Sequence, residues 1–265
     1  MHFLFIKSKL RNTSYAMIGC VLVVLFCTSF VFSICRVTSE SMYPALRTGN
    51  FIIANKLSLG PRIYNSFTSG DWIYRIKGYG SVCRNDIVLF NYPYEKWNEW
   101  DKITFNKRKY YVKRCIAIPG DSIIIKNGKY EILGIKQFVG NLQMQSELSY
   151  HIESNSRLFY TLPYDSILKW NIIDFGPLYI PKKDVVISFD YKNYILYKKI
   201  VEWETGKRLE YIHGYFVLDD KKINEYVFKH NYYFMAGDNV FQSLDSRYWG
   251  LVPDDFLIGK VIAII

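Results

Sequence analysis

The sequence predicts a mostly β protein: an antiparallel β-sheet main domain with a second, β-rich inserted domain, anchored by one N-terminal transmembrane helix. Three observations carry that prediction. Residues 15–35 run without a charge, long enough to cross a bilayer as a helix. Beyond them the chain is rich in strand-forming side chains, with 23 Tyr and 18 Phe in 265 residues. No 3.6-residue apolar period stands out after residue 36, apart from an ambiguous stretch, "NYILYKKIVEW" from Asn193.

Residues 1–14 hold Lys7, Lys9 and Arg11 and no acid, so they read as a short cytoplasmic tail. The apolar run 15–35 exceeds the roughly 7–15 residues of a cleaved secretory core, and it ends in Ile-Cys-Arg. It therefore reads as an uncleaved signal anchor. The part from Arg36 onward is then outside, although it keeps +7 of the net charge of +10. Long domains cross largely regardless of charge, so the tail sets the orientation.

Residues 36–126 and 231–265 read as the main β domain. "NFIIANK", "NDIVLF" and "YYVKRCIAIPGDSIII" are its strand candidates, the last with a type II turn at Pro119-Gly120. Between them "YPYEKWNEWDKITFNKRK" reads as a loop. Its Tyr92, Tyr94, Trp97 and Trp100 suit either an interfacial anchor or a packed loop. Residues 127–230 read as the insert, with hairpin turns at Asn127-Gly128 and Asp219-Asp220.

Composition narrows the function. Half of the residues are hydrophobic, which excludes a disordered chain. The basic balance suits nucleic acid or an anionic membrane, but no nucleic-acid reader motif is present. His2, His151, His213 and His230 are scattered, so no metal site is implied. Cys83 and Cys115 either pair in an oxidising compartment or serve as small buried hydrophobes.

Three stretches could carry chemistry. Ser41, in "SESMYPAL", reads alone as a turn serine; as a nucleophile it needs a base. Lys113, in "YVKRCIAIPGD", lies in an apolar strand that would desolvate its amine, or else it snorkels from an edge. Strand alternation puts Tyr111, Lys113 and Cys115 on one face and Val112 and Arg114 on the other. "GDNVFQSLDSRYWG" gathers Asp238, Ser243, Asp245 and Arg247, the last two sharing a face if the segment is a strand. It lacks the Glu and the spacing of an EF-hand.

In that order, behind an N-terminal span, the three stretches resemble those of the bacterial type I signal peptidases, membrane-bound Ser/Lys endopeptidases that remove signal peptides from exported proteins. "NDIVLF" from Asn85 is similar to a further strand box of that family. The likeness covers residues 39–46, 85–90, 111–123 and 235–260. It implies Ser41 as nucleophile, Lys113 as general base and Ser39 as an oxyanion donor beside the Ser41 backbone N–H. It implies Ser243 as the hydroxyl that orients the lysine, and Arg114, Asp245 and Arg247 as one salt-bridged brace. Asp121, Gly237 and Asp238 match structural positions. A substrate strand would lie between Val37-Thr38-Ser39 and Tyr110-Tyr111-Val112, with small side chains at its −1 and −3 positions. The implied partners are signal peptides of preproteins and the lipid bilayer, with no cofactor and no metal. The implied place is the bacterial cytoplasmic membrane, crossed once, with the catalytic domain outside. Ala45 stands where many members have Thr, and Val240-Phe241-Gln242 replaces a more polar run. Self-cleaving repressors use a similar dyad but need a DNA-binding module. A tethered peptide-binding β protein without catalysis would make Ser41 and Lys113 dispensable.

Overall fold

The structure, a computed structural model, describes residues 2–64, 73–153 and 160–265. Its first element is a helix over His2–Phe26, continued by one π-helical turn at Cys27–Val31. Within it, Asn12–Val31 is apolar and long enough to cross a membrane, and none of that segment is buried against the rest of the chain. The expected span of 15–35 is corrected at its end. Residues 32–35 belong to a strand, Phe32–Arg36, paired antiparallel with Phe51–Asn55. Pairing of Ile34 with Ile53 and Cys35 with Ile52 satisfies these backbones through a ladder instead of a helix. The Lys56 amine donates to the carbonyls of Thr28 and Ser29, groups that a helix end leaves without partners. Helix and strand follow one another without a linker.

Seven antiparallel strands form a curled half-barrel. In spatial order they are Phe32–Arg36, Phe51–Asn55, Leu257–Ile264, Ile87–Asn91, Tyr110–Ala117, Tyr232–Ala236 and Val252–Pro253. Register shifts at Leu257/Gly259, Val261/Ala263 and Phe234/Met235 bend it. At the first of these, a Cβ on Gly259 would stand 2.5 Å from the Asn55 carbonyl oxygen, closer than any side chain allows.

The Pro119-Gly120 turn forms, with Asp121 N–H donating to the Ile118 carbonyl at 3.0 Å and Gly120 at φ +96°. Its flanking strands serve different sheets, because Ser122–Lys126 pairs with Lys129–Ile132 and Phe175–Tyr179. Asn127-Gly128 and Asp219-Asp220 close hairpins, all four residues having positive φ as a type I′ turn requires. Residues 127–230 are mixed rather than β throughout. The ambiguous stretch is a helix, Tyr191–Thr205, capped by the Asp190 carboxylate and ended by Gly206 at φ +67°. A second helix, Leu142–Glu153, stands where no helix is expected.

One apolar cluster runs from Phe90, Tyr92 and Cys115 on the sheet to Tyr130, Phe175 and Tyr197 beyond residue 127. Cys115 belongs to this core, whereas Cys83 is exposed; the two are not bonded. Tyr92 and Tyr94 are buried against Trp249, so the aromatic loop packs through its tyrosines, while Trp97 stays 65% exposed. A smaller cluster of Val37, Met42, Leu46, Ile52, Ala54, Leu89 and Ile258 lies beneath the serine turn.

Candidate active site

After Arg36 the chain leaves its strand and turns at Glu40–Met42. Met42 and Leu46 plug the small cluster, which fixes the turn from below. From the side, Asn239 N–H donates to the Ser41 carbonyl at 3.1 Å and Asn239 Nδ2 donates to the Glu40 carbonyl at 3.2 Å. The close approach depends on Gly237: a Cβ there would lie 2.3 Å from the Ser41 carbonyl oxygen and 2.2 Å from Ser243 Oγ.

Lys113 reaches this turn from the strand Tyr110–Ala117. Its Nζ lies 2.5 Å from Ser41 Oγ, and Ser39 Oγ lies 3.2 Å from the same atom. Lys113 is only 2% exposed, and Ser41 is also buried. Burial pulls the Lys113 pKa down to about 8, opposed by Asp245, aided by Arg247 and opposed again by Asp238. The opposition is weak because both carboxylates are already committed. Asp245 accepts from Arg247 Nε at 2.9 Å and Nη2 at 2.8 Å, all fully buried. Asp238 accepts from Arg114 Nε and Nη2, both at 2.6 Å. Two neutral pairs leave Lys113 without a countercharge of its own. Burial would raise the Asp245 pKa, but the Arg247 guanidinium, the Lys113 amine and the Gly237 N–H hold it below the usual range.

These pairs correct the expected brace. Arg114, Asp245 and Arg247 do not form one cluster: Arg114 points away from Lys113 and takes Asp238. Asp245 and Arg247 do meet, but not on a strand. Asp245 caps the short helix Ser246–Trp249, accepting from the Arg247 N–H, and it also accepts from the Gly237 N–H at 3.0 Å. Ser243 is buried nearby, yet its hydroxyl makes no hydrogen bond to Lys113 or to any other described group. The sequence reading missed Asn239, whose place between Asp238 and Val240 was the available signal. It also left the Arg114 partner unidentified.

Beside Ser41 opens a cleft of about 650 Å³, bounded by Val37, Thr38 and Ser39 on one side and Tyr110, Tyr111 and Val112 on the other. The lysine strand pairs with Ile87–Asn91 through Tyr110–Arg114. Its other edge pairs with Tyr232–Ala236 only from Arg114 onward, so residues 111–113 face the cleft without a strand partner on that edge among the described residues. Among the described residues one group could interest a metal ion, His230 with Asp254 and Asp255. His230 Nδ1 lies 3.0 Å from the Asp254 carboxylate and 3.6 Å from that of Asp255, so the imidazole already faces both.

A hydroxyl, a buried amine with lowered pKa and a second hydroxyl, set at an open strand edge, suit acyl transfer from a peptide. Several known proteins are similar to this chain. A signal peptidase I of Buchnera aphidicola subsp. Baizongia pistaciae is 27% identical, over 98% of this chain and 78% of its own. One from Buchnera aphidicola subsp. Schizaphis graminum is 30% identical, over 91% and 70%. One from Aquifex aeolicus is 25% identical, over 92% and 79%. A crystal structure of a signal peptidase I from Enterococcus faecalis aligns at 16% identity with a TM-score of 0.32, covering 69% of this chain and 97% of that one. The family model described as signal peptidase, peptidase S26, matches residues 10–265, and this chain belongs to that family.

Proposed function

We propose that this protein is a signal peptidase I that cleaves N-terminal signal peptides from preproteins by a Ser41/Lys113 dyad at the outer face of a bacterial cytoplasmic membrane. The observation that carries the reading is the Lys113 amine, buried without its own countercharge, 2.5 Å from Ser41 Oγ at an open cleft. Neutral Lys113 accepts the Ser41 proton as Oγ bonds to the scissile carbonyl carbon. The oxyanion receives hydrogen bonds from the Ser41 N–H and the Ser39 hydroxyl; one such donor is worth about 2.7–4 kcal/mol. The Lys113 ammonium then gives its proton to the leaving amine as the C–N bond breaks. Water, deprotonated by the same amine, hydrolyses the acyl-enzyme and returns Ser41.

Ser243 offers a buried hydroxyl with no competing partner, and we assign it to orienting the amine. The Arg114–Asp238 and Asp245–Arg247 pairs hold the lysine strand and the loop 237–247 in place. The substrate lies as an added strand between 37–39 and 110–112, so backbone pairing admits many sequences while shallow pockets select small residues at −1 and −3. The apolar segment Asn12–Val31 is the membrane anchor, with Lys7, Lys9 and Arg11 on the cytoplasmic side.

Incubating the detergent-solubilised full chain with a preprotein tests the mechanism. The expected result is a shortened product with wild type and none with Ser41→Ala or Lys113→Arg. Arginine keeps the charge but cannot lose its proton, so substantial cleavage by Lys113→Arg removes the dyad.

A further inference from the structure

The cleft has an uneven charge. No Asp or Glu lines it, and its lysine is the buried Lys113. Its remaining charged lining is two arginines, Arg36 and Arg108. Both are exposed, and neither guanidinium has a hydrogen bond or ion pair among the described residues.

Their position follows from the topology. Four antiparallel steps lead from Phe32–Arg36 to Tyr110–Ala117, so the two strands run in the same direction. Each then runs toward the dyad, five positions from Arg36 to Ser41 and five from Arg108 to Lys113. The arginines therefore flank the end of the cleft away from the dyad, at most about 16 Å along, since only part of each five-residue path is extended. With −1 at Ser41, a substrate strand brings its residues at about −4 to −6 between them. An arginine presents a planar fork of donors that matches a carboxylate, and here two stand at one mouth without an ion-pair partner among the described residues.

We propose that Arg36 and Arg108 form a specificity site that selects an acidic side chain upstream of the cleaved bond, about −4 to −6. The proposal rests on the reading of the cleft given above. A peptide carboxylate is the ligand rather than a lipid phosphate, because both arginines line the space that the peptide fills.

The test uses full-length protein in neutral detergent and peptides that differ only by Glu, Gln or Lys at −4, −5 or −6. The readout is the ratio of kcat/KM for Glu over Gln within each variant, so general losses cancel. At one position wild type should favour Glu by about two- to fivefold, the range of a partly exposed ion pair, and 0.5 M salt should abolish the preference. R36Q and R108Q should each lower the ratio and the double variant bring it to one. R108E should reverse the preference toward the Lys peptide, a gain that misfolding does not produce. Binding of the same peptides to Ser41→Ala protein, followed by fluorescence anisotropy, reads the preference without cleavage. If wild type cleaves nothing while this binding preference persists, the dyad reading fails and the arginine site stands. The arginine site is overturned if no position favours Glu, or if the ratio survives in the double variant. It is equally overturned if the double variant matters only in anionic vesicles and affects all peptides alike, which would make the arginines lipid contacts.

Discussion

A lysine amine 2.5 Å from a serine hydroxyl acts as a base only when neutral. With the Lys113 pKa lowered to about 8, kcat/KM should fall about tenfold per pH unit below that value. A pH profile recorded on a neutral peptide checks this; a limb near the ordinary lysine pKa would contradict the burial argument. The same burial works against stability. The unfolded chain holds this proton up to a higher pH than the folded protein does, so the cost is fully present below pH 8 and is relieved as pH rises toward 10.5. Lys113→Met should therefore be inactive yet more stable near pH 7, by up to about 3 kcal/mol in denaturant unfolding. In the proposed mechanism Ser39→Ala removes a donor to charge that develops only in the transition state. It should lower kcat about 100-fold with KM little changed, which steady-state kinetics would show. The meeting of Ser41 and Lys113 was legible because their flanking residues form ordered motifs. The Arg114–Asp238 pair was not, because its partners are 124 positions apart and only the placement of the 237–247 loop decides which carboxylate Arg114 meets.

At the scale of elements, the short helix Ser246–Trp249 holds the site together through its cap. Asp245 bonds the Gly237 N–H, the Arg247 N–H and the Arg247 guanidinium, all buried. Asp245→Asn leaves a buried guanidinium without its counterion, a loss of about 3–5 kcal/mol. Thermal unfolding and activity should fall together; an inactive variant with unaltered unfolding would give Asp245 a direct chemical role. Strands and turns were legible from β-branched runs and from Asn-Gly and Pro-Gly pairs. The helix Leu142–Glu153 was not. The face it buries includes Gln145, which a sequence reading counts as solvated. In the structure Gln145 is buried because its amide accepts from Tyr130 N–H and donates to the Val139 carbonyl. A polar residue thus takes the place of one apolar residue in the period. The helix Tyr191–Thr205 was half legible, since its apolar positions fit either period until the Asp190 cap is seen.

At the scale of the whole molecule, the proposed orientation predicts that protease added to spheroplasts digests the part beyond Arg36. Survival of that part until the membrane is broken would reverse the topology. The apolar run was legible by length and lack of charge. Its end was not, because Phe32–Arg36 suits a helix as well as a strand until Phe51–Asn55 arrives to pair with it. That end has a mechanical result. With the helix passing directly into a paired strand, and Lys56 tying the helix end to the next turn, the proposed nucleophile Ser41 has little vertical play. Under the proposed function the molecule would work as a depth gauge, cutting where a preprotein's bond arrives at a set height above the lipid. A ten-residue Gly-Ser spacer inserted between Val31 and Phe32 should slacken the gauge. Mass spectrometry of the mature products should then find several neighbouring cut positions where the wild type leaves one. A single unchanged cut position would mean that the ruler is the peptide's own pockets and not the anchor.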